Sequence, residues 1–277
     1  MHGHAEIEAK TLKALIALVH HHTGIAMTER KSALLQGRLR PRLRALGLSV
    51  YEHYLALLQT DRSEVQVFIN MVTTNDTIFF RTPHIWDYFC QEFLPAWCAS
   101  HAGETFKVWS AAAASGEEAY SIAMLCDEFQ EKHPAFKYQI IATDISTDTL
   151  AAAQAGVYAG RSVQRMQQAY PRLFSKYFST HAKGYSIDSR LKSTITFAEH
   201  NLLGPLNMPH RFDLVFLRNV LIYFDEINQE KVVREVRKSM KDSAHLIVGE
   251  SESLARLNTC YAYHMPLIYG VTSVAAG

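Results

Sequence analysis

The chain has 277 residues, and its 28 lysines and arginines nearly balance 27 aspartates and glutamates, giving a net charge of +1 at pH 7. This balance excludes a globally basic nucleic-acid-binding protein, so any electrostatic recognition has to be local. The hydrophobic share of 48% is ordinary for a folded protein, and no apolar run is long enough to predict membrane insertion. The four cysteines form no CxxC pair, so we expect neither a disulfide framework nor a metal site. Together these features predict a cytoplasmic protein.

Residues 1–73 form the first predicted domain, which consists of helices. A Ser49-x-x-Glu52 sequence predicts a capping box at the start of the third helix, because each side chain would bond to a free backbone N–H group at the helix start. The first helix is indicated by apolar residues at the spacing of one helix face, namely Leu12, Leu15, Ile16 and Val19.

The second predicted helix begins at Thr28 and carries a high density of positive charge. We expect no nearby acidic residue to neutralise it. Side chains four residues apart, such as Arg38 and Arg42, lie on the same side of a helix. Two interpretations remain open: a solvated helix face, or a docking surface for an acidic partner. The candidate docking residues are Arg38, Arg40, Arg42 and Arg44.

The segment TTNDTIFFR, residues 73–81, is predicted to link the helical domain to a second domain, residues 74–277. Its aromatic residues suit a hydrophobic core. The polar side chains of Asn75, Thr77 and Arg81 can instead point at a ligand from outside the sheet. A helix is predicted after this segment, over residues 83–98.

From residue 106 onwards, predicted strands alternate with predicted helices, which favours an α/β fold with a parallel sheet covered on both faces. The alternation stops between about residues 159 and 193, where we expect an inserted subdomain with a helical piece and short strands. The predicted strands are 106–111, 138–143, 194–198, 212–217, 245–249 and a closing antiparallel strand at 261–271; the predicted helices are 117–132, 147–155 and 226–240.

The stretch FKVWSAAAASGEE, residues 106–118, is typical of a buried strand, a turn of small residues and a helix start. The alanines allow a ligand to lie close to the backbone. Glu117 and Glu118 occupy the first helical turn, whose positive end a phosphate would need free, so a cationic or hydroxyl-bearing ligand is favoured. A single glycine does not meet the GxGxxG pattern of dinucleotide-binding proteins. A plain strand-to-helix turn is the alternative.

Polar residues also follow the ends of other predicted strands, and the carboxyl ends of parallel strands face the ligand crevice of an α/β sheet. Asp144 ends the second strand and can accept hydrogen bonds from ribose hydroxyls, although it also precedes a possible helix cap. Tyr223 can face the same crevice or be a core residue. The other candidates after strand ends are Asn201, Leu202, Arg218 and Asn219, and simple packing is the alternative for Leu202.

Five motifs occur in order along the chain: TTNDTIFFR (73–81), SAAAASGEEAYSIA (110–123), ATDIS (142–146), HNLL (200–203) and FLRNVLIYFD (216–225). Together they resemble the CheR family, the chemotaxis receptor glutamate methyltransferases that use S-adenosylmethionine. The resemblance covers nearly the whole chain. It implies an N-terminal helix bundle, a Rossmann-like methyltransferase domain and a small inserted β-subdomain.

The resemblance also implies roles for single residues. Asp144 would hold the ribose, Glu117 would meet the cationic methionyl end of the cofactor, and Tyr223 would lie at the active site. The arginine-rich helix would dock on the cytoplasmic helical bundle of methyl-accepting chemoreceptors. The implied contacts to S-adenosylmethionine, or to the product S-adenosylhomocysteine, are Asn75, Thr77, Arg81, Glu117, Asp144, Asn201, Leu202, Arg218 and Asn219.

The chain departs from the family pattern at three places. Ala119 replaces a family proline in the first turn of a helix. No arginine occurs between Arg81 and Lys107, where the family has a second active-site arginine. The segment 179–197 is short for the loop with which some members hold a receptor's C-terminal pentapeptide, so we predict that no such tether is needed. Separately, we expect a monomer.

The implied reaction is methyl transfer from the sulfonium to a glutamate carboxylate, which gives a methyl ester. A glutamate with a pKa of about 4.3 is already an anion at neutral pH, so no general base is required. The main alternative is a non-catalytic adaptor that binds receptors and keeps the methyltransferase fold. A methyltransferase with another substrate is a further alternative, and the missing glycine pattern disfavours an NAD-dependent oxidoreductase.

Overall fold

A computed structural model shows the fold and describes residues 6–208 and 211–271. Its N-terminal part is a bundle of helices around an apolar core that includes Leu15, Leu39 and Tyr54. The helices are α1 (Ala9–Thr23), α2 (Ser32–Ala45, after a 3-10 turn Glu29–Lys31), α3 (Tyr51–Thr60) and α4 (Arg62–Val72).

The predicted capping box of the third helix is wrong. Helix α3 begins after Val50, whose side chain has no hydrogen-bonding group to cap with. Glu52 instead accepts a hydrogen bond from Thr11 Oγ1 on α1, at 2.6 Å. The Glu52 carboxylate therefore bonds to a neighbouring helix and not, as the local pattern had predicted, to the start of its own helix.

The arginine-rich face of α2 is partly neutralised, contrary to the sequence-based expectation. Arg42 donates two hydrogen bonds to the Glu64 carboxylate, from Nε at 3.0 Å and from Nη2 at 2.5 Å. Arg38 donates to the backbone oxygen of Val72 and to Thr74 Oγ1. These partners lie 22 to 36 residues away in sequence, so only the packing of α4 beside α2 brings them near. Arg40 and Arg44 are exposed.

The predicted helix 83–98 is a helical segment of three parts. A π-helical stretch, Phe89–Phe93, separates α5 (Pro83–Tyr88) from α6 (Leu94–Ser100). The segment packs on the sheet: Trp97 Nε1 donates to Asp213 Oδ1 at 2.9 Å, and the Phe89 ring contacts Phe106 and Phe216. It therefore covers one face of the sheet ahead of the first strand.

In the described part of the chain the main sheet has seven strands in the order β6-β2-β1-β7-β8-β10-β9. Strands β6, β2, β1, β7 and β8 are parallel, and β10 and β9 are antiparallel. The strands are β1 (Thr105–Ser110), β2 (Lys137–Asp144), β6 (Ile195–Glu199), β7 (Phe212–Leu217), β8 (Met240–Val248), β9 (Tyr261–Met265) and β10 (Ile268–Val271).

The order in which the chain adds its parallel strands reverses at the centre of the sheet: from β1 it goes outward to β2 and β6 on one side, and then to β7 and β8 on the other. Such a switch point leaves a crevice beyond the carboxyl ends of the central strands. The helices after the strands cover both faces of the sheet: α7 packs with Phe106 and Val108, and α12 with Trp109 and Val215. These helices are α7 (Glu117–Lys132), α8 (Thr147–Ala155) and α12 (Glu226–Lys238).

The region of about residues 159–193 holds short helices and two strands of a second sheet. In that sheet, strands in the order β3-β5-β4 pair antiparallel. The elements are β3 (Val157–Tyr158), α9 (Arg161–Ala169), α10 (Pro171–Tyr177), β4 (Phe178–His181), β5 (Gly184–Ile187) and α11 (Ser189–Ser193).

The α/β fold class with a smaller inserted sheet is thus confirmed. The single closing strand predicted at 261–271 is instead the hairpin β9–β10, because the chain turns at Leu267 with a φ of 69°. Across the described ranges, no helix is both long and apolar enough to cross a bilayer.

Candidate active site

A cavity lies at the carboxyl edge of the main sheet, beyond the ends of β1, β2, β6 and β7. Its walls also include Thr23 and Ile25 from the helical part of the chain. Nine of the ten residues predicted for cofactor binding or catalysis line this one cavity: Asn75, Thr77, Arg81, Asp144, Asn201, Leu202, Arg218, Asn219 and Tyr223.

The turn between β1 and α7 gives the cavity a floor of small residues, Ala111, Ala112 and Ala114. Ala114 has a left-handed φ of 46°, and its N–H donates to Asp144 Oδ2 at 2.8 Å. Gly116 follows with a φ of 95°, and a Cβ there would approach Ala153 Cβ to 2.8 Å. The turn therefore needs small residues both to pack against α8 and to leave room above the backbone.

Asp144 ends β2 and is only 7% exposed. Its Oδ1 accepts from Ser146 N–H at 2.9 Å, and its Oδ2 accepts from Ala114 N–H. Burial raises the pKa of this carboxyl, although the backbone hydrogen bonds oppose the shift. The carboxylate both orders the loop before α8 and lies in the cavity wall, so the two roles considered for it are compatible.

The two glutamates at the start of α7 point in different directions. Glu118 lines the cavity, where its carboxylate accepts from Ser110 Oγ at 2.7 Å and from Arg218 Nη1 at 3.0 Å. Glu117 is not part of the lining; it is buried and accepts from Ser115 Oγ at 2.6 Å. Burial raises the pKa of Glu117. Its contact with a cofactor stays a prediction.

Arg218 is held rigidly, with a side chain that is 1% exposed. Besides its ion pair with Glu118, it donates from Nη2 to the backbone oxygen of Arg81 at 3.0 Å, and its guanidinium carbon lies 5.9 Å from the Trp86 ring centre. The Nε–H group is buried and has no partner among the described residues. The contacts with Glu118 and Arg81 fix the guanidinium group at the cavity wall.

The charges in the lining favour a cationic ligand. Within the described residues, three carboxylates face two guanidinium groups, which leaves a net charge of −1 when all are ionised. Burial lowers the pKa of His200, so this side chain adds no positive charge at neutral pH. The carboxylates are Asp76, Glu118 and Asp144, and the guanidinium groups are Arg81 and Arg218.

The helical part of the chain closes one side of the cavity. The Ala26 N–H donates to the backbone oxygen of Tyr223 at 2.8 Å, and Asn201 Nδ2 donates to His22 O at 2.8 Å. The Asn201 oxygen accepts from the Leu203 N–H, so this amide shapes its own loop. Burial lowers the pKa of Arg38, and nearby Tyr223 partly offsets this shift.

Backbone strain is concentrated around the cavity. Phe80, Thr82, Ala114 and Asn219 all have positive φ values, between 46° and 65°, although none of them is glycine. Such conformations cost of order 1–3 kcal/mol each and persist only where the surroundings impose them. Three of the segments around the cavity are therefore held in shapes that the sequence pattern does not reveal.

Sequence reasoning missed several residues of the cavity wall. Glu118 was considered with Glu117 in the first turn of a helix but was not chosen as a ligand contact, His200 lay within a quoted motif, and Trp86 lay in a predicted helix that was given no ligand role. The signal for Glu118 was its position in the first turn of α7, one residue from the chosen glutamate. Nothing local marks Trp86, whose Nε1 donates to the backbone oxygen of Arg81 at 2.9 Å.

Comparison with protein families places two matches end to end along the chain. Residues 10–73 match the family described as "CheR methyltransferase, all-alpha domain", and residues 75–266 match "CheR methyltransferase, SAM binding domain". The two matches cover most of the chain and meet where α4 leads into the cavity segment.

Curated relatives are similar over nearly the same length. The chemotaxis protein methyltransferase of Escherichia coli (strain K12) is 33% identical over 259 residues, which cover 92% of this chain and 88% of the relative. That of Borreliella burgdorferi is 31% identical and covers 93% of each. A solved structure, that of the glycopeptide N-methyltransferase MtfA with sinefungin, is 14% identical with a TM-score of 0.36. The match covers 69% of this chain and 60% of the MtfA chain.

Proposed function

This chain belongs to the CheR methyltransferase family, and from that premise we propose that it methylates glutamate side chains of chemoreceptors. It is a methyltransferase of chemotaxis whose cofactor is S-adenosylmethionine. The finer proposal, a protein-glutamate O-methyltransferase, is supported above all by one observation: nine predicted site residues line a single cavity at the switch point of the sheet.

The groups in the cavity suit this cofactor. S-adenosylmethionine carries an ammonium, a sulfonium and a carboxylate, a net charge of +1, which matches the net negative lining. Asp144 would accept from the ribose hydroxyls, and the guanidinium groups of Arg81 and Arg218 would meet the methionyl carboxylate. Glu118 joins the proposed set, while Glu117 stays a candidate outside the lining. When bound, the cofactor supplies an electrophilic methyl group.

The residues of the chain then have to position the acceptor carboxylate and remove water from around it, because the carboxylate is already nucleophilic. A glutamate is ionised at neutral pH, so no base has to remove a proton. Holding the reacting groups in line can supply several kcal/mol, up to about 7–11 in the best intramolecular cases. Tyr223 lines the cavity half-buried, and within the described residues its hydroxyl has no hydrogen-bond partner. We assign this hydroxyl to orienting the acceptor carboxylate.

The proposed partner is the cytoplasmic helical bundle of a chemoreceptor, which places the enzyme in the cytoplasm. Arg40 and Arg44 on α2 are exposed and form no ion pair with any described residue, so they are available to acidic side chains of a partner. Arg38 and Arg42 are engaged within the chain and would act mainly by holding α2 in place. We propose a monomer without a pentapeptide tether.

The decisive experiment is transfer of a labelled methyl group from S-adenosylmethionine to a purified receptor signalling fragment, followed by alkali treatment. We expect label on the receptor that alkali releases as methanol, which identifies a carboxyl methyl ester. Label that resists alkali would contradict an ester product. Cofactor binding without transfer to several receptors would point to another acceptor, and neither binding nor transfer would favour the adaptor.

A further inference from the structure

We propose that Glu252 is a positioning residue that holds the loop of residues 218–223 in its active shape; the inference rests on the proposed function of the cavity. Glu252 lies in the turn after β8 and does not line the cavity. It acts through the backbone of the loop that carries Arg218, Asn219 and Tyr223.

The Glu252 carboxylate binds backbone N–H groups from two directions. Oε1 accepts from Val220 N at 2.8 Å and from Leu221 N at 2.7 Å. Oε2 accepts from Asn219 N at 2.8 Å and from Gly249 N at 2.6 Å. Each oxygen thus takes two donors, so three consecutive loop amides and the end of β8 converge on one side chain.

This carboxylate is buried, with 7% of the residue exposed, and in the described chain it forms no ion pair with a basic side chain. A buried charge is costly unless hydrogen bonds satisfy it. Here the four N–H dipoles supply that compensation, and hydrogen bonds to an ionised acceptor are stronger than neutral ones. The loop and the carboxylate therefore stabilise each other.

The loop needs such a hold because Asn219 is strained and the N–H groups of residues 219–221 have no other partner among the described residues. Asn219 adopts a φ of 58°, a conformation that non-glycine residues rarely take. The next residues enter the 3-10 turn Leu221–Tyr223, and the first N–H groups of a helical turn have no acceptor within it. Glu252 provides the missing acceptor to Val220 and Leu221.

Gly249 shows how closely the two segments approach. A Cβ at this position would lie 2.7 Å from Asn219 Nδ2, 2.7 Å from Glu252 Oε2 and 2.8 Å from the Asn219 N atom. Only glycine allows this approach without displacing the loop. The substitution Gly249→Ala therefore disturbs the same contact by steric pressure while the carboxylate stays in place.

The critical substitution is Glu252→Gln. Glutamine has nearly the shape of glutamate, but its amide places N–H donors where one carboxylate oxygen accepted two hydrogen bonds. In either orientation of the amide, two backbone N–H groups, at least one of them from the loop, then face a donor, so we expect the loop to shift. The matched control is Glu250→Gln, the same chemical change at an exposed side chain two residues away. The rescue variant is Glu252→Asp, which retains the charge.

Each variant is tested on the full chain by calorimetric binding of S-adenosylhomocysteine, by kcat and KM of methyl transfer, and by thermal unfolding. For Glu252→Gln we expect kcat to fall about 100-fold, as misplacement by ~1 Å can cause, and the Kd to rise roughly tenfold. Glu252→Asp should recover part of both, and Glu250→Gln should match the wild type.

A merely structural role would lower the melting temperature and leave Kd and KM of the folded fraction unchanged, which would overturn the proposal. A Glu252→Gln variant with kcat and Kd within about twofold of the wild type would do so too. If Glu252→Gln does not fold, Gly249→Ala takes its place with the same expected losses. If the wild type fails to methylate receptors, the binding of S-adenosylhomocysteine still tests the role of Glu252 separately from the proposed function.

Discussion

At the scale of single residues, Tyr223 is the side chain with the most direct proposed role. It lines the cavity, its backbone is fixed to Ala26, and its hydroxyl forms no hydrogen bond with the described residues, although Arg38 lies near enough to interact with it electrostatically. The hydroxyl can therefore be removed without breaking a hydrogen bond within the described part of the chain. Substitution by phenylalanine therefore removes the hydroxyl and its proposed role while the ring is kept.

For Tyr223→Phe we expect kcat to fall by about 10- to 100-fold, because an orienting hydrogen bond to the acceptor is lost. The Kd of S-adenosylhomocysteine should stay within about twofold. Methyl-transfer kinetics and calorimetry measure the two quantities. Tyr263→Phe is the control, because Tyr263 is 66% exposed on β9, away from the cavity. Equal loss of turnover and affinity would contradict the assigned role.

The buried carboxyl of Asp144 predicts a pH dependence of cofactor binding. Burial raises its pKa above the ordinary value of about 3.9. The ionised form accepts hydroxyl hydrogen bonds, so affinity is complete at neutral pH and is lost as the pH falls through the raised pKa. Binding of S-adenosylhomocysteine should therefore weaken at a higher pH than an ordinary aspartate would cause.

Titration calorimetry from neutral to acidic pH checks this dependence. Asp144→Asn should bind more weakly at neutral pH, because it loses charged hydrogen bonds, and should show a flatter pH profile. The buried carboxyl of Glu117 also has a raised pKa, so the variant isolates the Asp144 contribution. A wild-type profile identical to that of Asp144→Asn would contradict the ribose-binding role.

At the scale of elements, helix α2 has two kinds of arginine. Arg42 donates two hydrogen bonds to Glu64, whose side chain is 4% exposed and also accepts from Tyr54 Oη at 2.8 Å. The Arg42 hydrogen bonds lower the pKa of Glu64. Since a lowered carboxyl pKa stabilises the folded state above the unfolded pKa, this contribution is present at neutral pH and is lost in acid.

We expect Arg42→Ala to lower the free energy of unfolding by about 2–3 kcal/mol, because a buried carboxylate loses its charged donor. Urea unfolding at neutral pH measures this loss, and the difference from the wild type should shrink as Glu64 becomes protonated. Arg40→Ala and Arg44→Ala should leave stability unchanged and weaken receptor binding. Weaker receptor binding by Arg42→Ala at unchanged stability would contradict this division.

At the scale of the whole molecule, the helical part of the chain completes an element of the methyltransferase part. Ser146 precedes α8 but its side chain makes no capping hydrogen bond. Asn70 on α4 takes that role instead: its Oδ1 accepts from Thr147 N–H at 3.0 Å, and its Nδ2 donates to Thr147 Oγ1 at 2.9 Å. Gln66 adds a hydrogen bond to Ile145 O at 3.0 Å.

Asn70→Ala should therefore act on both parts. We expect a loss of roughly 1 kcal/mol of stability, the usual effect of removing a helix cap, and weaker S-adenosylhomocysteine binding, because the capped loop follows Asp144. Thermal unfolding and calorimetry measure these changes. Asn70→Asp keeps the acceptor at a helix start, where negative charge is favourable, and should preserve stability. An Asn70→Ala variant with wild-type values would rule out this coupling.

Local sequence alone was enough to predict the class of fold and most of the cavity. Alternating strand and helix patterns reflect which residues are buried, and burial follows directly from side-chain polarity. Parallel strands also bring their carboxyl ends to one edge, so Asp144, Asn201 and Arg218 converge without any knowledge of side-chain contacts. Polarity marked Asn75, Thr77 and Arg81, which precede the sheet in the chain, only as possible ligand contacts, and the family resemblance then implied their role toward the cofactor.

The tertiary structure alone decided which polar groups are paired. Glu64 neutralises Arg42 across 22 residues, and Glu252 binds loop amides 31 to 33 residues before it. Glu118 rather than Glu117 lines the cavity, because adjacent helical residues point about 100° apart and only the packing of α7 selects one. Polarity and spacing encode burial and backbone shape, whereas a hydrogen bond between distant segments depends on distances that exist only after the chain has packed.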